Sequence, residues 1–143
     1  MTEVQTKPKA KKSVALSGTI AGNTALCTVG ITGNDLHYRG YDILDLAETC
    51  EFEEIAHLLI HRTLPTAGEL RIYKAKLKAM RGLPNAIQKA LEHIPASAHP
   101  MDVLRTGCSL MGTVLPEKDN HNTAGARDIA DRLIASFASM LLY

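Results

Sequence analysis

The sequence predicts an all-α protein with a short β-hairpin-like segment near its N-terminus. From Asp42 onward, apolar residues recur at spacings of three and four, as helices burying one face require. Capping signals and prolines fall between those runs, where helices should start and stop. Before Asp42 the character differs: Gly18, Gly22, Gly30, Gly33 and Gly40 punctuate short runs of β-formers.

Each element has its own signal. Residues 1–12 are Lys-rich, contain Pro8 and offer almost nothing to bury, so a mobile tail is expected. Ala25–Val29 and Leu36–Arg39 read as two short strands around the turn-forming GITGND. Asp42 opens a helix with an acidic first turn. A second helix places Phe52, Ile55, Ala56 and Leu59 on one face and is expected to end near Leu64-Pro65. Thr66-Ala67-Gly68-Glu69 is a capping box, with Glu69 reaching back to the Thr66 cap. The helix it starts carries Leu70, Tyr73, Leu77 and Met80, and Gly82 stops it.

Pro84 suits a first helical turn, and Ile87, Ala90, Leu91 and Ile94 form the next apolar face, closed by Pro95. His99-Pro100 opens another helix, with Met101, Leu104, Cys108 and Met111 in line. Pro116–Asn122 reads as a polar loop. The last helix begins near Ala124, and Ile129, Leu133, Phe137 and Met140 define its face, broadened by Ile134, Leu141 and Leu142. It ends on the apolar run SMLLY without a glycine or a basic last turn. Such an end is expected to pack against further polypeptide, so a chain cut short is expected. Residues 13–143 are therefore read as one incomplete helical domain.

Composition excludes several function classes. The 143 residues are 45% hydrophobic and 22% charged, which suits a folded globular chain. A net charge of +1 and 4% aromatics give no case for nucleic acid as the main partner, a basic arm in the Lys-rich tail being the alternative to a mobile one. No run reaches the roughly 18 apolar residues of a membrane span. No secretory or transit signal is evident, and a cytoplasmic location is expected. Cys27, Cys50 and Cys108 form no CxxC pair and are expected to act as small buried apolar residues.

Local patterns that carry chemistry are few. His57 and His61 lie four apart on one helix face, with Glu53 and Glu54 just before them, and could hold a metal. A zinc-protease motif needs Glu where Leu58 stands, and no third ligand has suitable spacing. Both histidines are therefore expected to line a packed helix edge with their ring N–H groups satisfied. His99 is conceivable as a general base, but its place at a helix start favours capping. Arg39 and Arg105 could each fork a carboxylate or phosphate, with local carbonyl or carboxylate partners the expected alternative. Met101, Met111 and Met140 are expected to pack in the core. Nucleotide-binding glycine motifs and GxSxG are absent.

The stretch SVALSGTIAGNTALCTVGITGNDLHYRGYDILDLAE resembles the N-terminal region of citrate synthases, and GNDLHYRGYDILDLA carries most of the likeness. FEEIAHLLIHRTLPTAGEL and AHPMDVLRTGCSLMG continue it in order, so that it covers about residues 13–143. KKSVALSGTIAGNTALCTVG looks more like the 2-methylcitrate synthase branch than housekeeping citrate synthases. The resemblance implies part of a large helical domain in a two-domain, homodimeric enzyme of propionate catabolism. It implies condensation of propionyl-CoA with oxaloacetate and water to 2-methylcitrate and CoA, with no metal or prosthetic group.

In such enzymes an Asp removes the acyl α-proton while one His donates to the thioester oxygen. A second His protonates the oxaloacetate carbonyl. Those residues belong to later parts of the family's sequence. Neither catalytic nor substrate-binding residues are therefore assigned in this chain, and it is expected to be inactive alone. In some relatives an Arg follows the L-P-T that opens the third helix, but here Leu64-Pro65-Thr66 is followed by Ala67. The alternatives are a citrate synthase using acetyl-CoA, or a truncated, non-catalytic helical interaction module.

Overall fold

The computed structural model describes residues 22–29, 35–115 and 123–143. The Lys-rich tail, the GITG part of the first turn and the Pro116–Asn122 loop lie outside the described residues.

Among the described residues three short strands come first: β1 (Cys27–Val29), β2 (Leu36–Tyr38) and β3 (Tyr41–Asp42). They form one antiparallel sheet in the order β1-β2-β3, with Cys27 opposite Tyr38 and Tyr38 opposite Tyr41. The hairpin expected from sequence is present, and β3 extends it. Arg39 and Gly40 join β2 to β3, both at positive φ (49° and 92°). A two-residue connection needs positive φ at both positions to follow the strand twist, and Gly40 adopts it without a steric penalty.

Six helices follow among the described residues: α1 (Ile43–Thr49), α2 (Phe52–His61), α3 (Ala67–Ala79), α4 (Asn85–Leu91), α5 (Pro100–Val114) and α6 (Thr123–Leu142). Their starts are chemically specified. The Asp42 carboxylate accepts from the Leu44 N–H, and His99 Nδ1 accepts from the Met101 N–H. Thr66 and Glu69 form the expected capping box on α3, and Glu51 with Glu54 forms another on α2. Pro84 lies one residue before α4, at its cap. Helix α2 ends at His61, earlier than expected, because Arg62 turns into the left-handed region at φ 80°.

The helices close around two apolar clusters, and α6 serves both. Ala56 of α2, Tyr73 and Leu77 of α3, and Ala135 of α6 form the first. Ile87 and Leu91 of α4, Met111 of α5 and Met140 of α6 form the second, with Leu133 and Phe137 packed against it. The leucine, isoleucine and methionine side chains among them stabilise by about 1.5–3 kcal/mol each when removed from water. Burial on two sides is why α6 is apolar over so much of its circumference.

Some expected core positions are corrected. Phe52 is 67% exposed and Met101 64% exposed, while Leu58, off the expected α2 face, is completely buried. Both misplaced residues sit in a first helical turn, where the side chain projects back beyond the end of its helix. Cys27, Cys50 and Cys108 are free thiols of intermediate exposure instead of buried ones.

Candidate functional site

The principal polar constellation lies where α2, α3 and α6 meet, and a buried carboxylate is its centre. Asp131 of α6 has no exposed surface. Its Oδ1 accepts the Tyr73 hydroxyl at 2.7 Å, and its Oδ2 accepts the Lys76 ammonium at 2.7 Å. His61 Nε2 lies 3.2 Å from Oδ1 and 3.1 Å from Oδ2. Lys76 also reaches Asp128 Oδ1 at 2.8 Å.

Helix geometry supplies this convergence. Tyr73 and Lys76 are three apart on α3, so they share a face. Asp131 precedes Ile134 and Ala135 by three and four residues, which turns its carboxylate to the apolar side of α6. His61 comes from the last turn of α2. Its ring stacks on His57 with centroids 4.7 Å apart, and both rings meet Tyr73 edge-on at 5.2 and 5.3 Å.

The electrostatics follow from burial and charge. Burial alone would push the Asp131 carboxyl up, but bonds from Lys76, Tyr73 and His61 outweigh it and hold the carboxyl below its ordinary value. Burial, followed by the bond to Asp131, pushes the Tyr73 hydroxyl well above its ordinary value. Burial would lower Lys76, yet Asp128 and Asp131 together raise it. An ionised carboxylate only accepts, so His61 carries a proton on Nε2. His57 Nδ1 donates to the Thr63 carbonyl at 2.7 Å, which fixes its Nδ1–H.

This arrangement is a structural lock. Every oxygen of Asp131 already receives donors, and a general base needs an acceptor facing its substrate. The open groove of about 500 Å³ nearby is lined by Phe52, Leu77, Arg81, Ile134, Ala138 and Leu142, among others, without His61 or Asp131.

The other residues singled out from sequence are placed as follows. His57 and His61 share a face, but among the described residues no group of three or more His, Cys, Asp or Glu could hold a metal. His99 caps α5. Arg39 directs its fork at the Leu59 carbonyl, with Nη2 at 2.7 Å and Nε at 3.2 Å. Arg105 pairs with Asp102 at 2.9 Å on the exposed face of α5. Sequence reasoning missed Asp131, Tyr73 and Lys76 as one unit. The available signal was an acidic residue on the apolar side of α6.

Comparison with known proteins places this architecture. Residues 15–143 match the family described as citrate synthase, C-terminal domain. A 2-methylcitrate synthase from Shewanella oneidensis is 54% identical over 90% of this chain and 33% of its own length. The crystal structure of citrate synthase from Thermotoga maritima matches with a TM-score of 0.77 at 30% identity, covering 91% of this chain and 33% of that one. Citrate synthase from Thermoplasma acidophilum, in a ternary complex with carboxymethyl coenzyme A and oxaloacetate, shares the fold. Its TM-score is 0.79 at 23% identity, covering 88% and 34% of the two chains. The chain thus spans about a third of the length of these relatives. With the family match running through both clusters and the Asp131 lock, the chain belongs to the citrate synthase family.

Proposed function

We propose that this chain is the opening part of the large helical domain of a 2-methylcitrate synthase. That enzyme condenses propionyl-CoA with oxaloacetate and water to give 2-methylcitrate and CoA, in propionate catabolism. The observation that carries this reading is the 54% identity to the Shewanella oneidensis 2-methylcitrate synthase across 90% of the chain.

The role of these residues is structural. Helices α2, α3 and α6, tied by Asp131, build a rigid wall against which the remaining two-thirds of such an enzyme can organise. The catalytic Asp and the two His belong to that remainder, as do the groups that hold oxaloacetate. No metal or prosthetic group takes part in the reaction, and the CoA thioester is a substrate. The working enzyme is a cytoplasmic homodimer. No helix among the described residues is long and apolar enough to cross a membrane.

The test is CoA release. The 143-residue chain, given propionyl-CoA and oxaloacetate, should release no CoA above background. A full-length relative containing this segment should release it, faster with propionyl-CoA than with acetyl-CoA. Turnover by the chain alone would show that its own histidines are catalytic. Preference for acetyl-CoA would favour the second reading, a citrate synthase, which the Thermotoga maritima match supports at 30% identity.

A further inference from the structure

Two non-glycine residues among those described adopt positive φ, Arg39 and Arg62. Both line one pocket of about 310 Å³, together with Thr24, Thr28, Cys27 and Gly40. A left-handed conformation costs an L-residue roughly 1–2 kcal/mol, and such outliers cluster at ligand clamps and active sites as well as in turns and helix ends. Here the two residues line one cavity from separate elements, the β2–β3 turn and the end of α2.

The pocket has the chemistry of an anion site. None of its lining residues is acidic. The Arg62 side chain meets no hydrogen-bond or ion-pair partner among the described residues. Arg39 uses its Nε and one Nη2 hydrogen on the Leu59 carbonyl, and Nη1 lies 3.5 Å from the Ala25 carbonyl. Five guanidinium hydrogens leave it further donors. The first contact has a second effect. Leu59 lies in the last turn of α2, whose carbonyls would repel an anion, and the Arg39 fork covers one of them. Thr24 Oγ1 accepts from the Leu26 N–H at 3.1 Å, which leaves its hydroxyl hydrogen to donate.

We propose that this pocket binds a small tetrahedral oxyanion of the phosphate class. A carboxylate presents two oxygens in one plane, whereas a phosphate group presents three or more in a tetrahedron. Two guanidinium groups and two hydroxyls, arriving from three segments of chain, suit an anion that accepts on several sides. The inference does not depend on the reaction proposed above.

The test is titration of the 143-residue chain with inorganic phosphate and with methyl phosphate at constant ionic strength, followed by calorimetry and by amide NMR shifts. Saturable binding that moves the amides of Thr24, Thr28, Arg39 and Arg62 is expected. Tighter binding of methyl phosphate would also support the site and would indicate the phosphoryl group of a larger ligand. Arg62→Asn should weaken phosphate binding by about tenfold, because Asn tolerates positive φ but carries no charge. Arg62→Lys should weaken it less, keeping charge without the fork. Non-saturable binding, tighter binding of acetate than of phosphate, or unchanged affinity in Arg62→Asn would overturn the proposal. The NMR map of the parent chain decides the question even if a variant fails to fold.

Discussion

The Tyr73 hydroxyl donates to Asp131 Oδ1 at 2.7 Å, joining α3 to α6 across 58 residues of sequence. This bond and its neighbours make a carboxylate tolerable at a position with no exposed surface. A buried charge is stable only while its partners remain, and removing one partner strands the rest.

Asp131→Ala should therefore destabilise the chain by about 3–5 kcal/mol, stranding the Tyr73 and His61 donors and leaving Lys76 with Asp128 alone. Tyr73→Phe removes one donor and should cost about 1.5–3 kcal/mol. Denaturant unfolding of both variants checks the order. A Tyr73→Phe variant as unstable as Asp131→Ala would show that the hydroxyl, not the carboxylate, holds the junction.

The same junction sets the pH dependence. The Asp131 carboxyl is held below its ordinary value of 3.8. Its contribution is present above 3.8 and is lost as pH falls towards the depressed folded value. Tyr73 and Lys76 are both raised above their ordinary values of 10.0 and 10.5. Their contributions are present below those values and are lost as pH rises beyond them. Melting temperature should thus fall at both extremes, and Tyr73→Phe should flatten the alkaline limb above pH 10.

Two glycines of α5 should respond in opposite directions to alanine. A Cβ on Gly107 would lie 2.8 Å from Met140 Sδ and 3.3 Å from its Cγ, inside the second cluster. Met140 is 2% exposed and has little room to yield. Overpacking of about 1–3 kcal/mol then outweighs a helix-propensity gain of up to about 1 kcal/mol, so Gly107→Ala should destabilise. Around Gly112 nothing lies within 4 Å of the added Cβ, and Gly112→Ala should stabilise by about 0.5–1 kcal/mol. Paired urea titrations would measure both.

Arg62→Gly should raise stability by about 0.5–1 kcal/mol. It removes the left-handed strain at the end of α2, less the larger unfolded-state entropy of glycine. The same variant should lose phosphate-induced stabilisation, which a thermal melt with and without phosphate would read directly.

A cap prediction concerns α3. Thr66→Ala removes the side chain that accepts from the Glu69 N–H and should cost about 1 kcal/mol, measured by chemical denaturation. Glu69 is held below its ordinary value mainly by bonds from the Thr66 backbone and side chain.

By itself, the sequence determined the helices, the hairpin, the caps and the family. Those features rest on spacing and on bonds between residues a few positions apart: Asp42 to Leu44, Thr66 to Glu69, His99 to Met101. Family likeness is likewise a property of residue order, carried by segments such as GNDLHYRGYDILDLA. Periodicity also placed most of the core, including Ala56, Tyr73, Leu77, Ile87, Leu91, Met111 and Met140, whereas tertiary structure decided the exceptions and which polar groups met. Phe52 and Met101 fit an apolar period, but they project beyond their helix starts and stay exposed. Asp131 fitted no local motif, because its partners lie 55 to 70 positions earlier in the chain. Periodicity fixes where a side chain points around its own helix. Only the docking of α2, α3 and α6 determines what it finds there.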